Sequence, residues 1–132
     1  AHGAAACTDV TGFGLLGHLL EMLRASGTGA QLRLDAVPVL DGARECLARG
    51  YRSSLHESNR GHLAALVEPA TGTAAQALEI LLDPQTAGGL LAGIPAAQAG
   101  ACVAALRAAG YQAAAAIGAC RAAAGPGGVL TG

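Results

Sequence analysis

The run Thr8-Asp9-Val10-Thr11-Gly12-Phe13-Gly14 combines residue types that can do chemistry together. A carboxylate stands between two hydroxyls, and two glycines follow it. Leucines at helical spacing begin directly afterwards, so the glycines open a helix. A helix start carries unpaired N–H groups and a partial positive charge. Glycine lets a ligand approach the backbone closely. The combination suits a phosphate, bound near Thr8, Thr11, Gly12 and Gly14, with Asp9 free for the magnesium that accompanies it. The same residues also suit a plain structural helix cap packed through its glycines.

A second polar segment, Asp83-Pro84-Gln85-Thr86-Ala87-Gly88-Gly89, lies far along the chain. Asp-Pro stops a helix, and the glycine pair permits close contact with another backbone. It reads equally as a structural turn between a helix and a strand. The remaining polar candidates have bland readings. His18 sits among leucines as a packed helix histidine, and residues 51–62, with His56, Glu57, Asn59, Arg60 and His62, read as a solvated loop.

The elements that position these segments follow from periodicity. Residues 4–10 read as a short strand. Leu15, Leu16, Leu19, Leu20 and Leu23 mark a helix that stops at Ser26-Gly27. Residues 30–35 alternate as a half-buried strand, and Asp41 is placed to cap a helix over 41–49. Residues 63–68 suit either a strand or a short helix. Thr73 is placed to cap a helix through Leu82, and residues 90–94 read as a short buried strand. Pro95 starts a helix to about Ala109. Residues 112–120 read as a strand, and Val129–Thr131 follow a Gly-Pro-Gly-Gly turn as a last one. Four helices and five or six strands without strict βαβ order make a mixed α/β domain.

Composition bounds the function. The 132 residues suit one domain, and 52% are apolar, enough for a core without disulfides. The four cysteines, Cys7, Cys46, Cys102 and Cys120, show no close ligand spacing and read as reduced, mostly buried small hydrophobes. Phe13, Tyr51 and Tyr111 are the only aromatics, and the eight arginines are scattered with no lysine. Such a surface argues against nucleic-acid binding. No apolar run reaches the roughly 18 residues of a membrane span. No charged leader precedes an apolar block, and a start at Ala1 reads as a piece of a longer, cytoplasmic protein.

Taken together, ACTDVTGFGLLGHLLEM (6–22) and DPQTAGGLL (83–91) resemble the two signatures of the carboxy-terminal domain of the selenophosphate synthetase family, within the aminoimidazole ribonucleotide synthetase-like superfamily. LDAVPVLDGA (34–43) and Ala116-Ile117-Gly118 fit the same family in position. Ala87 stands where the family usually has serine.

The resemblance implies a three-layer α/β/α domain with a mixed sheet. It implies an enzyme that turns selenide, ATP and water into selenophosphate, AMP and phosphate. The nucleotide would lie between this domain and an amino-terminal one, and the full enzyme would be a homodimer. Most magnesium-binding aspartates would come from the amino-terminal domain, with Asp9 the one from this chain. The family's nucleophilic cysteine or selenocysteine and its catalytic lysine belong to that other domain, so Cys7 is not the nucleophile and no catalytic residue is expected here. Two other readings stay open: a docking module without catalysis, and a related ATP-dependent synthetase or kinase of small molecules.

Overall fold

A computed structural model describes residues 2–63, 67–69, 75–122 and 129–131. Side chains are described for 2–62 and 78–122. Six strands and five α-helices are present among these: β1 (Ala6–Asp9), α1 (Gly14–Ser26), β2 (Thr28–Leu32), α2 (Ala43–Ala48), α3 (His56–Leu63), β3 (Val67–Pro69), α4 (Ala75–Leu82), β4 (Leu90–Gly93), α5 (Ala96–Ala108), β5 (Gly118–Ala122) and β6 (Val129–Thr131). A short 3-10 turn over Leu34–Ala36 follows β2.

The leucine spacing of the first helix does what periodicity predicts. Leu16, Leu19, Leu20 and Leu23 are buried, together with Leu81 and Leu82 of α4 and Ala30, Leu32 and Leu34 from the β2 region. Each fully buried leucine contributes on the order of 1.5–3 kcal/mol. This single cluster holds α1 against α4 on one side and β2 on the other.

The strands form two separate units. β2, β6 and β3 pair in parallel, and β5 pairs antiparallel with β2, giving a four-stranded mixed sheet in the order β3-β6-β2-β5. β1 and β4 form an antiparallel ribbon of their own. The fold is of mixed α/β class, as the alternation of elements predicts.

Several boundaries differ from the sequence reading. β2 begins at Thr28 and ends at Leu32, where residues 30–35 were expected. The alternation itself is correct, since Ala30, Leu32 and Leu34 are buried while Gln31 and Arg33 are exposed. α2 starts after Gly42, and Asp41 makes no capping hydrogen bond to it. β4 is exposed on one face instead of buried, with Leu90 79% exposed, because among the described residues no sheet or helix packs over that face of the β1–β4 ribbon. The strand expected over 112–120 is displaced to Gly118–Ala122. The alanine run 113–116 has low strand propensity, and backbone pairing begins only at Ile117, whose carbonyl accepts from the Arg33 N–H at 2.9 Å beside the Leu32–Gly118 pair.

The polar stretch 51–62 is not a solvated loop. Its second half is the helix α3, whose His56 and Asn59 are buried. The four cysteines are unpaired as expected, but Cys7, Cys46 and Cys120 are exposed and Cys102 is half-buried. Cys7 lies on the outward face of the β1–β4 ribbon, which nothing covers among the described residues. Thr73, expected to cap α4, and the Gly-Pro-Gly-Gly turn lie outside the described residues. No helix among the described residues is long and apolar enough to cross a membrane.

Candidate functional site

Antiparallel pairing of β1 with β4 sets Asp9 opposite Leu90 and Thr8 opposite Leu91. The ladder continues past the strand end, where the Val10 N–H donates to the Gly89 carbonyl at 2.9 Å. The Thr11 carbonyl then accepts from two amides, Gly14 at 3.0 Å and Gln85 at 3.1 Å. The two polar segments of the sequence are therefore one paired loop structure.

Two glycines make the pairing possible. Gly14 has φ +66°, and a Cβ there would lie 2.8 Å from the Leu81 carbonyl oxygen and 3.0 Å from that of Asp83. A Cβ on Gly88 would lie 3.1 Å from the Val10 carbonyl carbon and closer still to its oxygen. Any side chain at either position would push the two loops apart.

A third segment ties the pair from behind. Asn59 of α3 donates one amide hydrogen to the Gly12 carbonyl at 2.9 Å and another to the Leu82 carbonyl at 3.0 Å. Buried carbonyls need such partners. His56, one turn earlier, is fully buried, and its Nε2–H donates to Glu79 Oε2 at 2.7 Å. Arg60 donates to the other carboxylate oxygen through Nε at 3.1 Å, and Arg52 approaches Oε2 at 3.4 Å. Burial alone would push the Glu79 carboxyl up. The hydrogen bonds from His56 and Arg60, together with the nearby positive charge, outweigh burial and hold it below the ordinary carboxylate range. Reciprocally, the hydrogen bond and charge of Glu79 raise Arg60. His56 Nδ1 has no hydrogen-bond partner among the described residues and lies 3.8 Å from Asp83 Oδ1.

This anchoring role is absent from the sequence reading of residues 51–62. One signal for it was available: Ser54-Leu55-His56-Glu57 matches the Ser-x-x-Glu pattern that precedes a helix.

The proposed ligand residues are distributed unevenly. Asp9 is exposed at the end of β1, and among the described residues no hydrogen bond or ion pair engages its carboxylate. Thr8 points to the opposite face of the ribbon, half-buried beside Leu91, and its hydroxyl donates to the Asp9 backbone carbonyl at 3.2 Å. It is not brought to the face that carries Asp9. Thr11 and Gly12 are half-buried in the paired loops, and Gly14 is buried under the start of α1. The Thr11 hydroxyl lies 3.0 Å from His18 Nε2. Phe13, Leu55 and Leu90 expose apolar surface around these loops, with Phe13 57% exposed.

Among the described residues no three His, Cys, Asp or Glu side chains converge on one point. A lone free carboxylate fits one position of a magnesium ion that keeps most of its waters, and the remaining protein ligands must come from elsewhere.

Residues 1–130 match the family described as AIR synthase related protein, C-terminal domain. The chain belongs to this family. Within the AIR synthase-related family, this domain is similar to several proteins named selenide, water dikinase. It is 47% identical over 88 residues to that of Geobacter metallireducens, covering 67% of this chain and 25% of the relative. It is 42% identical over 109 residues to that of Agathobacter rectalis, covering 83% of this chain and 32% of the relative. The protein of Burkholderia pseudomallei is 40% identical over 116 residues, covering 88% of this chain and 33% of the relative. The AIR synthase-related domain thus spans a quarter to a third of the length of these curated relatives.

Proposed function

We propose that this chain is the carboxy-terminal domain of an ATP-dependent selenophosphate synthetase and supplies one magnesium carboxylate, Asp9, to a nucleotide site shared with an amino-terminal domain. The relatives named selenide, water dikinase support the activity, and their greater length supports the second domain. The observation that carries the reading is the exposed Asp9 carboxylate, unbonded among the described residues, at the junction of the two paired loops.

Phosphoryl transfer demands alignment and charge neutralisation more than covalent work by the protein. Bound magnesium would supply that neutralisation at the phosphate oxygens. The protein's part is to hold Asp9 in place. The ladder from Asp9 to Leu90 and from Val10 to Gly89 fixes the strand end, and Asn59 fixes the Gly12 turn behind it. The start of α1 at Gly14 adds a partial positive charge nearby.

Exposed Phe13, Leu55 and Leu90 support an interdomain position for this surface. Leu90 shares a ribbon face with Asp9, and Leu55 reaches to within 3.9 Å of where a Gly12 Cβ would stand. Helix α5 is apolar around most of its circumference and buries no residue against the described residues. A helix of that kind is normally covered in the complete protein.

The test is Asp9→Ala in the full-length protein, scored as selenide-dependent AMP release. The expected result is a loss of at least about a hundredfold, the upper range for changes around a metal site, with the melting transition unchanged. Near-normal turnover would remove Asp9 from the site. Selenophosphate formation by this chain alone would remove the need for a second domain.

A further inference from the structure

We infer that the outer edge of β4 is a docking site for one further β-strand, supplied by the amino-terminal part of the full-length protein, so that β4 becomes the middle strand of a sheet. The inference rests on the reading above only for the existence of that part.

Antiparallel neighbours alternate between bonded and non-bonded pairs. The Val10 N–H donates to the Gly89 carbonyl at 2.9 Å, so the register makes Thr8 and Leu91 the next bonded pair. Leu90 and Ala92 fall in the non-bonded positions, and their main-chain N–H and C=O groups point away from β1. Among the described residues those groups have no hydrogen-bond partner, and β1 is the only strand beside β4. The edge is a row of donors and acceptors at the spacing an added strand needs.

The residue types decide between the two edges of the ribbon. The edge of β1 carries Asp9, and the Thr8 hydroxyl already donates to the Asp9 main-chain carbonyl at 3.2 Å. Charges and prolines keep natural edges from pairing, and β4, Leu-Leu-Ala-Gly, has neither. No charged residue stands anywhere from Pro84 to Leu106. Such a strand has the composition of a sheet interior. A ribbon of two strands is marginal by itself, and a third strand supplies the missing support. The occupant follows from length. This chain matches a quarter to a third of the curated relatives, so most of each relative lies outside the matched region.

The test uses the full-length protein and two measurements. In the first, amide hydrogen exchange is read residue by residue. Leu90 and Ala92 are expected to exchange as slowly as Leu91, on the order of a hundredfold below an unbonded amide. Fast exchange at Leu90 and Ala92 beside a slow Leu91 overturns the inference. In the second, the protein is grown on photo-leucine as an equal mixture of light and heavy isotopes, then irradiated. The Leu90 peptide is expected to be joined to a peptide of the amino-terminal part, with both halves of one isotope. Joined peptides of mixed isotope place a second copy at this edge and overturn the inference, as does a Leu90 peptide joined only within residues 1–132. Asp9→Ala, scored as AMP release, separates the parent reading. Fast exchange at Leu90 and Ala92 with turnover lost in Asp9→Ala overturns this inference alone. Slow exchange with near-normal turnover in Asp9→Ala overturns the magnesium reading and supports this one.

Discussion

Gly88 packs so closely on the Val10 carbonyl that a side chain of any size would displace it. This contact, between residues far apart in the chain, closes the two signature loops into one structure. Gly88→Ala is expected to destabilise the protein by about 1–3 kcal/mol, the range for overpacking a tight contact. Gly89→Ala serves as the control, since nothing lies within 4 Å of a Cβ there. Urea denaturation of the two variants checks the pair, and equal stability would contradict the described contact.

Asn59 satisfies the carbonyls of Gly12 and Leu82 with one amide group. Asn59→Ala leaves both acceptors without this partner and is expected to cost about 2–4 kcal/mol, two hydrogen bonds with their desolvation penalty. Asn59→Asp is expected to be worse, because a carboxylate would face two carbonyl oxygens. A melting-temperature series of the two variants gives the order, and Asp more stable than Ala would refute the arrangement.

The Glu79 cluster predicts loss of stability in acid. The folded protein holds Glu79 below its ordinary value of 4.5 through His56 and Arg60, against the opposing effect of burial. A depressed carboxyl stabilises the fold fully above the ordinary value, and the contribution fades as pH falls through the lower folded value. Glu79→Gln should therefore be less stable than the parent at neutral pH, with the difference shrinking below about pH 4.5. Denaturation midpoints measured from pH 7 to pH 3 check this, and a constant difference would refute it.

Asp9 should behave in the opposite way to these packing residues. Its carboxylate is exposed and unbonded among the described residues, so Asp9→Asn is expected to change stability by no more than about 0.5 kcal/mol. Chemical denaturation checks it. A large loss would show that Asp9 serves the fold locally, and its functional role would have to be withdrawn.

Much of this arrangement is legible in the linear chain because it rests on local physics. The spacing of Leu16, Leu19, Leu20 and Leu23 specifies a helix and its buried face. Asp83-Pro84 specifies where α4 stops, and Gly12 and Gly14 specify where α1 starts. The motifs at 6–22 and 83–91 point to the family, which the match over residues 1–130 establishes.

Other features depend on contacts that no window of sequence contains. Whether Leu90 is buried depends on what packs over its face of the β1–β4 ribbon, and among the described residues nothing covers it. Whether His56 and Asn59 face water depends on Glu79, Gly12 and Leu82 arriving beside them. Polar side chains score as surface in any composition, and only their partners reveal that burial is tolerated. The side of the ribbon taken by Thr8 was likewise set by pairing, because a one-residue change of register exchanges the two faces. The sequence alone determined α1, α4, α5 and the two loops, each a matter of neighbouring residues, while α3 reads as a loop in the chain alone and α2 lacks its expected cap. Tertiary structure decided that those loops meet, since β1 and β4 are distant in the chain and only their hydrogen-bonded register brings Asp9 and Gly88 to one place.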